Sequence, residues 1–257
     1  MRVAVSGAAG RMGRLVVKNA VAEGLKVVQA FDIHEVGKDA GELAGVGKIG
    51  VPIEDDISKL DADVLIDFTT AEAAMKNAEV AAEKGVRVVM GTTGFTDEDR
   101  KRLAELAEKV PMIVSPNFSL GVNIFWKIVE YAAKMLYEWD AEIVELHHRH
   151  KRDSPSGTAL KLAEIIRKVK EEKGIEADLK TCREGISPRE SEIGVFGIRG
   201  GDVVGEHTVF FFGSGERIEL THRAMSRECF AIGAVRAAKW IAKVDKPGFY
   251  TMDDFLE

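Results

Sequence analysis

The sequence predicts an α/β protein in two parts, a parallel sheet covered by helices on both faces followed by an α+β part with an antiparallel or mixed sheet. Three observations carry this. Short apolar runs alternate with amphipathic helical runs from Arg2 to Phe118, the pattern of successive strand–helix–strand units. A glycine-punctuated turn joins the first strand to the first helix. From Glu192 onward the strand-like runs EIGVFGIRGG, GEHTVFFFG and ERIELTHRA follow one another with no helix between them, which favours antiparallel or mixed pairing.

Size and composition bound what such a chain does. With 257 residues it is long enough for one large domain or two modest ones, each with its own core. The 42 acidic and 36 basic residues give a formal charge of -6, so there is no global reason to expect nucleic acid or an anionic membrane as partner. Any basic site is local. Cys182 and Cys229 lie far apart without a C-x-x-C pattern, which argues against a disulfide framework or a zinc ribbon and fits a reducing compartment. No apolar run approaches the roughly 18 to 20 residues that span a bilayer, and Met1 leads straight into a strand without the pattern of a signal peptide. A soluble cytoplasmic protein is expected.

In order along the chain, RVAVS at 2–6 reads as a buried strand and runs into GAAGRMG at 7–13, then into a helix with apolar spacing at Leu15, Val16, Ala20 and Val21. This is the strand, tight turn and helix of a Rossmann-like dinucleotide-binding unit, with glycines spaced G-x-x-G-x-x-G. Gly7 permits the turn, Gly10 lets a pyrophosphate approach the backbone, and Gly13 permits close helix packing. A plain glycine turn is the competing reading, and context weighs against it. The second strand, LKVVQAFD, ends in Asp32, nineteen residues past Gly13, where the fingerprint wants an acid for the ribose hydroxyls. An acid there favours NAD, yet His34, Lys38, Arg11 and Arg14 offer cations to a 2′-phosphate, and the residues leave the choice open.

DAGELAGVGKIGVPIEDDISKL reads as an excursion and loop. Then ADVLIDFT is a strand, AEAAMKNAEVAAEKG a helix ended by Gly85, VRVVMGTTGF a strand entering a small polar loop, and TDEDRKRLAELAEKV a helix with Thr96 as N-cap and Asp97, Glu98 and Asp99 in its first turn. PMIVSPNFS closes the series. Ligands of such sheets bind at the carboxyl ends of the strands. The loops there, Gly91-Thr92-Thr93-Gly94 and Ser115-Pro116-Asn117-Phe118, carry small residues and backbone donors suited to ribose and nicotinamide, though each alone reads as a turn.

The second part opens on a helix over 121–137 whose stripe of Phe125, Ile128, Val129, Ala132 and Leu136 is read as core. FAIGAVRAAKWIAKV and the tail GFYTMDDFLE read as helical and are expected to pack back on the first domain. Between lies ELHHRHKRDSPSGTAL, residues 145–160, a strand end, a cationic loop and a helix start in succession. Zinc is disfavoured: neighbouring histidines of a strand point to opposite faces and no H-E-x-x-H or nearby cysteine completes a site, so no metal is expected. A nucleic-acid patch lacks interleaved aromatics. A solvated basic loop is the bland reading of any single cation here. In combination, Lys151 and the histidines can pair with carboxylates, Ser156, Gly157 and Thr158 offer hydroxyls and N–H donors at a helix start, and Asp153 and Glu145 are placed to orient or charge-balance them. Histidine and lysine also serve as proton donors. Beside a nicotinamide, such a loop would support hydride addition with protonation.

GAAGRMG, DFT, GTTGF, NFSLGVN, ELHHRHKRDSPSGTA, GDVVGEHTV and ERIELTHRA, in this order, resemble the 4-hydroxy-tetrahydrodipicolinate (dihydrodipicolinate) reductase family over essentially the whole chain. The loop HHRHKxDxPSGTA is the most specific of these motifs, and DAGELAG fits as well. The resemblance implies NAD(P)H-dependent reduction of a cyclic imine dicarboxylate in the diaminopimelate route to lysine, by a cytoplasmic homotetramer. It implies His147 and Lys151 as catalytic proton donors or acceptors, and His148, Gly157 and Thr158 as substrate-binding. It implies Gly7, Ala8, Ala9, Gly10, Arg11, Met12 and Asp32 around the dinucleotide, with Gly91, Thr92, Thr93, Ser115, Pro116, Asn117 and Phe118 toward its nicotinamide end. It further implies a dinucleotide-binding domain of residues 1–118 and 228–257 interrupted by a substrate-binding and tetramerisation domain of 119–227, in which FFF at 210–212 serves interface or core. Hydride is expected at C4 of the ring and a proton at C3, from one of these side chains or from water. One departure stands out: Ile33 occupies the place after the ribose-binding acid where NADPH users of the family often carry arginine. Dual cofactor use with some NADH preference is therefore expected. A nucleotide-sensing protein that consumes no NADH, and an isomerising or hydrolytic enzyme that needs no cofactor, are the rivals from other classes.

Overall fold

The computed structural model describes residues 1–185 and 188–257. In chain order the elements are β1 (Arg2–Ser6), α1 (Arg11–Ala22), β2 (Lys26–Phe31), α2 (Ala40–Leu43), β3 (Ile53–Glu54), a 3-10 turn (Ile57–Lys59), β4 (Val64–Asp67), α3 (Ala71–Glu83), β5 (Arg87–Met90), α4 (Asp97–Ala107), β6 (Pro111–Val114), α5 (Leu120–Met135), β7 (Asp140–His147), α6 (Gly157–Glu172), β8 (Leu179–Lys180), β9 (Ile193–Arg199), β10 (Gly205–Gly213), β11 (Glu216–Ala224), α7 (Glu228–Ile241), β12 (Gly248–Tyr250) and α8 (Met252–Leu256). They fall into two compact units, Met1–Leu120 with Arg227–Glu257, and Gly121–Ser226.

The first unit is a seven-stranded sheet in the order β12-β6-β5-β4-β1-β2-β3, with every named pair parallel. Both faces are covered, which is why β4 is buried throughout its VLID run. Alternation sends Val3 and Val5 to the face under α1 and α7, beside Val16, Val17, Ala231 and Ala234. Ala4 and Leu65 go to the face under α3 and α4, beside Ala74, Ala78 and Leu103. The chain order reverses between β1 and β4, so the carboxyl ends of these two strands flank the switch point at which such sheets take ligands.

Two readings change here. The tail GFYTMDDFLE is not wholly helical: Gly248–Tyr250 adds an edge strand parallel to β6, and only Met252–Leu256 is helix, closed by a capping box between Thr251 and Asp254. The excursion after Asp32 is also ordered. Buried Asp39 accepts from the backbone N–H groups of Gly41, Glu42, Ile49, Gly50 and Val51. Burial opposes its charge, yet those donors hold its pKa below the usual value.

The second unit is a five-stranded mixed sheet, β11-β10-β7-β9-β8. β10 pairs antiparallel with β11 and β7, whereas β7 and β8 pair parallel with β9. Its inner face packs Ala141, Ile143, Val195, Val209 and Phe211 against Phe125 and Val129 of α5 and Leu162 and Ile166 of α6. Phe211 alone of the FFF run is core, while Phe210 and Phe212 stack on each other with centroids 5.9 Å apart. Ile128, read from the sequence as core, is 47% exposed. A helix buries only about a third of its circumference against one layer, and Phe125 and Val129 take that face.

Candidate active site

In the first unit the glycine turn is built as the spacing requires. Gly7 has φ +76°, and a Cβ on it would stand 2.5 Å from the Phe68 carbonyl oxygen. A Cβ on Gly13 would stand 2.0 Å from the Gly7 carbonyl oxygen, so only glycine lets α1 start this close to the turn. At Gly10 no side chain caps α1, leaving the first N–H groups of a twelve-residue helix to a ligand. Asp32 closes the arrangement: Oδ2 accepts from the Ala9 N–H at 3.0 Å and Oδ1 from the His34 N–H at 2.9 Å. Each oxygen keeps a further acceptor position. An uncapped helix end, a backbone cradle without side chains and an acid at the next strand fit a dinucleotide.

The next two loops divide their work between side chain and backbone. Thr92 is buried and its hydroxyl donates to Asp67 Oδ1 at 3.0 Å, so what it offers a ligand is main chain. Thr93 is exposed. Gly91 lies against the Phe68 ring, which a Cβ would meet at 2.2 Å. Ser115 accepts from the Asn117 N–H at 3.2 Å and donates to the Asn117 carbonyl at 2.9 Å, bracing the exposed Pro116 between them. Phe118 is 1% exposed and sits edge-on to Phe68 with centroids 6.2 Å apart, so its ring belongs to the core. Asp67 was given no role by the sequence reading. It is fully buried at the end of β4 and accepts from Asn77, from the Thr69 N–H and hydroxyl, and from Thr92. Burial raises its pKa despite these donors. A charged residue ending an otherwise apolar strand was the signal that marked it.

In the second unit the cationic loop is tied down at many points. Glu145, on the central part of the sheet, is wholly buried. Its Oε1 accepts from the Ser156 N–H at 3.0 Å and Arg199 at 2.6 Å, and its Oε2 from Arg199 at 2.8 Å and from His147 Nδ1. Burial opposes the charge, but His147, Arg199 and the Ser156 amide outweigh it and bring the pKa down to about 2. Arg199 also donates to the Asp153 carbonyl at 2.7 Å, and Lys151 pairs with Asp153 at 2.9 Å. Ser156 caps α6 by accepting from the Ala159 N–H and contacts His207 Nε2 at 3.0 Å. His207 is buried, and burial together with the neighbouring His147 lowers its pKa to about 3. It is neutral.

His147, Lys151, Gly157 and Thr158 thus belong to one loop and the helix start that follows it, with His148 and His150 near each other at 6.2 Å between centroids. Arg199 and His207 were missed. Their strands were readable but the register that sets His207 opposite Glu145 and Arg199 opposite His147 was not.

A parallel sheet with this turn and this acid defines a pyridine-nucleotide-binding fold, here joined to a mixed-sheet unit bearing a cationic loop. Family descriptions match both: "Dihydrodipicolinate reductase, N-terminus" over residues 1–118 and "Dihydrodipicolinate reductase, C-terminus" over 121–256. The chain is 49% identical to the 4-hydroxy-tetrahydrodipicolinate reductase of Methanosarcina acetivorans, covering 100% of this chain and 99% of that one. It is 51% identical to the protein of the same name from Anaeromyxobacter sp., covering 100% and 97%. Among solved structures, dipicolinate-bound dihydrodipicolinate reductase from Paenisporosarcina sp. TG-14 superposes with a TM-score of 0.77 at 27% identity, over 98% of this chain and 97% of that one. The chain belongs to the dihydrodipicolinate reductase family.

Proposed function

We propose that this chain reduces 4-hydroxy-tetrahydrodipicolinate to tetrahydrodipicolinate with NADH or NADPH, in the diaminopimelate route to lysine. The observation that carries the reading is the loop in which His147, held by Glu145, and Lys151, held by Asp153, precede the N-terminus of α6. Histidine and lysine beside an anion-binding helix end are what a dicarboxylate that must also gain a proton requires.

Gly7 to Met12 and Asp32 would hold the dinucleotide, with the backbone of Gly91 to Thr93 and of Ser115 to Phe118 toward its nicotinamide end. When bound, that group supplies the hydride. His148, Gly157 and Thr158 would hold the substrate carboxylates, Lys151 would neutralise one of them and donate a proton, and His147 would hold or give a proton at Nε2. The relative solved with dipicolinate, itself a dicarboxylate, supports this assignment. Residues 1–118 with 228–257 would serve the dinucleotide and 119–227 the substrate and self-association. For a homotetramer the outward face of the second sheet is apt, since Phe212 and Ile198 are 37% and 51% exposed there. The cytoplasm is the proposed compartment. Among the described residues no helix is long and apolar enough to cross a membrane.

The test is the fall in NADH absorbance with freshly prepared substrate. Turnover by the intact chain and a large loss in Lys151→Ala are expected. No turnover by the intact chain overturns the reading, whereas an undiminished Lys151→Ala overturns only that residue's role.

A further inference from the structure

Glu145 precedes His147 by two residues on β7, so both side chains lie on one face of the strand. Its carboxylate is saturated by four donors: the Ser156 amide, Arg199 twice, and His147 Nδ1. An ionised carboxylate only accepts, so Nδ1 carries a proton and the exchangeable position of the ring is Nε2. Nε2 makes no hydrogen bond to any described residue. It faces Gly205 at the start of β10, where an added Cβ would come within 2.9 Å of it. Glycine there keeps the nitrogen open.

The other groups around the ring are committed elsewhere. His207 stands edge-on at 5.2 Å between centroids and is neutral. Arg199 is spent on Glu145 and the Asp153 carbonyl, and Lys151 on Asp153. We propose that Glu145, clamped by Arg199, is the positioning residue of the site, fixing His147 as the Nδ1–H form with Nε2 turned to the substrate. The proposal rests on the reading of His147 as the group that handles the substrate's proton.

Glu145→Gln is the informative change. Its amide oxygen is drawn to the Oε1 place, where Ser156 and Arg199 donate, and its NH2 then meets Nδ1. A donor there forces His147 into the Nε2–H form, as the wrong tautomer is forced in a serine-protease triad whose aspartate becomes asparagine. Because removing one member of a buried ion pair strands the other, Glu145→Gln/Arg199→Gln accompanies it as a variant with no stranded charge.

Two readouts apply. Long-range nitrogen–proton correlation spectra of the free protein, with His147 assigned by its loss in His147→Asn, report the tautomer without any turnover. Kinetics are then compared in both backgrounds. In Glu145→Gln the Nε2–H form should appear. Its kcat should fall at least about 100-fold, the lower end of the 10²–10⁴-fold a positioned proton donor contributes, while the substrate KM stays within about three-fold. Added to His147→Asn, Glu145→Gln should cost nothing further. Retention of the Nδ1–H form in both glutamine variants, or an equal loss in the His147→Asn background, overturns the proposal. Absence of turnover in the intact protein would instead strike the functional reading, and the spectra would still decide the role of Glu145.

Discussion

Ile33 follows Asp32 directly and is 79% exposed, so replacing it by arginine changes what a 2′-phosphate meets without disturbing the core. The neighbouring cations are less available than their positions in the sequence imply. Lys38 is paired with Glu35, and Arg14 Nε donates to the Ala9 carbonyl at 2.8 Å. His34 and Arg11 remain exposed. Asp32, held by the Ala9 and His34 amides, stays as the acid that repels a phosphate. Unit charges about 4 Å apart attract by about 1 kcal/mol in bulk water and about 4 kcal/mol at the effective dielectric of a protein surface. At so exposed a position the lower end applies, about 1 kcal/mol, or roughly a 5-fold lower KM for NADPH. The KM for NADH should move little, and stability should stay within about 0.5 kcal/mol. Steady-state kinetics with both cofactors at low and high salt test this, since the gain must shrink as the Debye length shortens. A large NADPH preference in the unmodified chain, or an equal change for both cofactors, refutes the reasoning.

Gly13→Ala places a Cβ 2.0 Å from the Gly7 carbonyl oxygen, backbone that cannot swing aside; NADH fluorescence titration should show binding largely lost, and wild-type affinity would contradict the assigned packing. Glu145 has a folded pKa of about 2 against an ordinary 4.5, so it contributes stability present above the ordinary value and lost as pH falls toward the folded one. The advantage of the wild type over Arg199→Gln in urea unfolding should therefore be greatest near about pH 6 and shrink below about pH 4.5. Asp153, 58% exposed, holds Lys151 at 2.9 Å; Asp153→Asn should free the ammonium and lower the substrate KM by about 2- to 5-fold, the scale of a surface ion pair. A raised KM would mean that Asp153 orients Lys151 rather than competes for it.

The parallel sheet was legible because its strands are short and buried on both faces, so β1 and β4 read as continuous apolar runs between amphipathic helices. The stretch around Asp39 was not. Its order comes from one carboxylate gathering N–H groups from residues 41, 42, 49, 50 and 51, a contact between distant backbone positions that leaves no periodicity behind. The tail failed for a related reason. GFY has no local alternation, and becomes a strand only because β6 offers a free edge.

The loop shows the same division more sharply. Its ingredients stand within residues 145–160, but their chemistry is set by distant partners, as when Arg199 donates to Glu145 across 54 positions. Pairing places Gly197, Glu145, His207 and His222 side by side across β9, β7, β10 and β11. Side chains directly opposite share a face, so one row holds a glycine, a buried acid and two histidines. The glycine is required by the acid: a Cβ on Gly197 would come within 2.8 Å of Glu145 Oε1 and 2.3 Å of Ser154 Oγ. In turn the acid needs a cation, and Arg199, two residues beyond Gly197 on the same face of β9, supplies it. With Glu145 thus neutralised and His207 uncharged, His147 is left as the one ring of the row's neighbourhood held by a carboxylate, and Gly205 leaves its far nitrogen clear. A one-residue slip of β7 against β10 would turn Glu145 and His147 to the opposite face, so the proton chemistry of this loop depends on strand register as much as on its histidines.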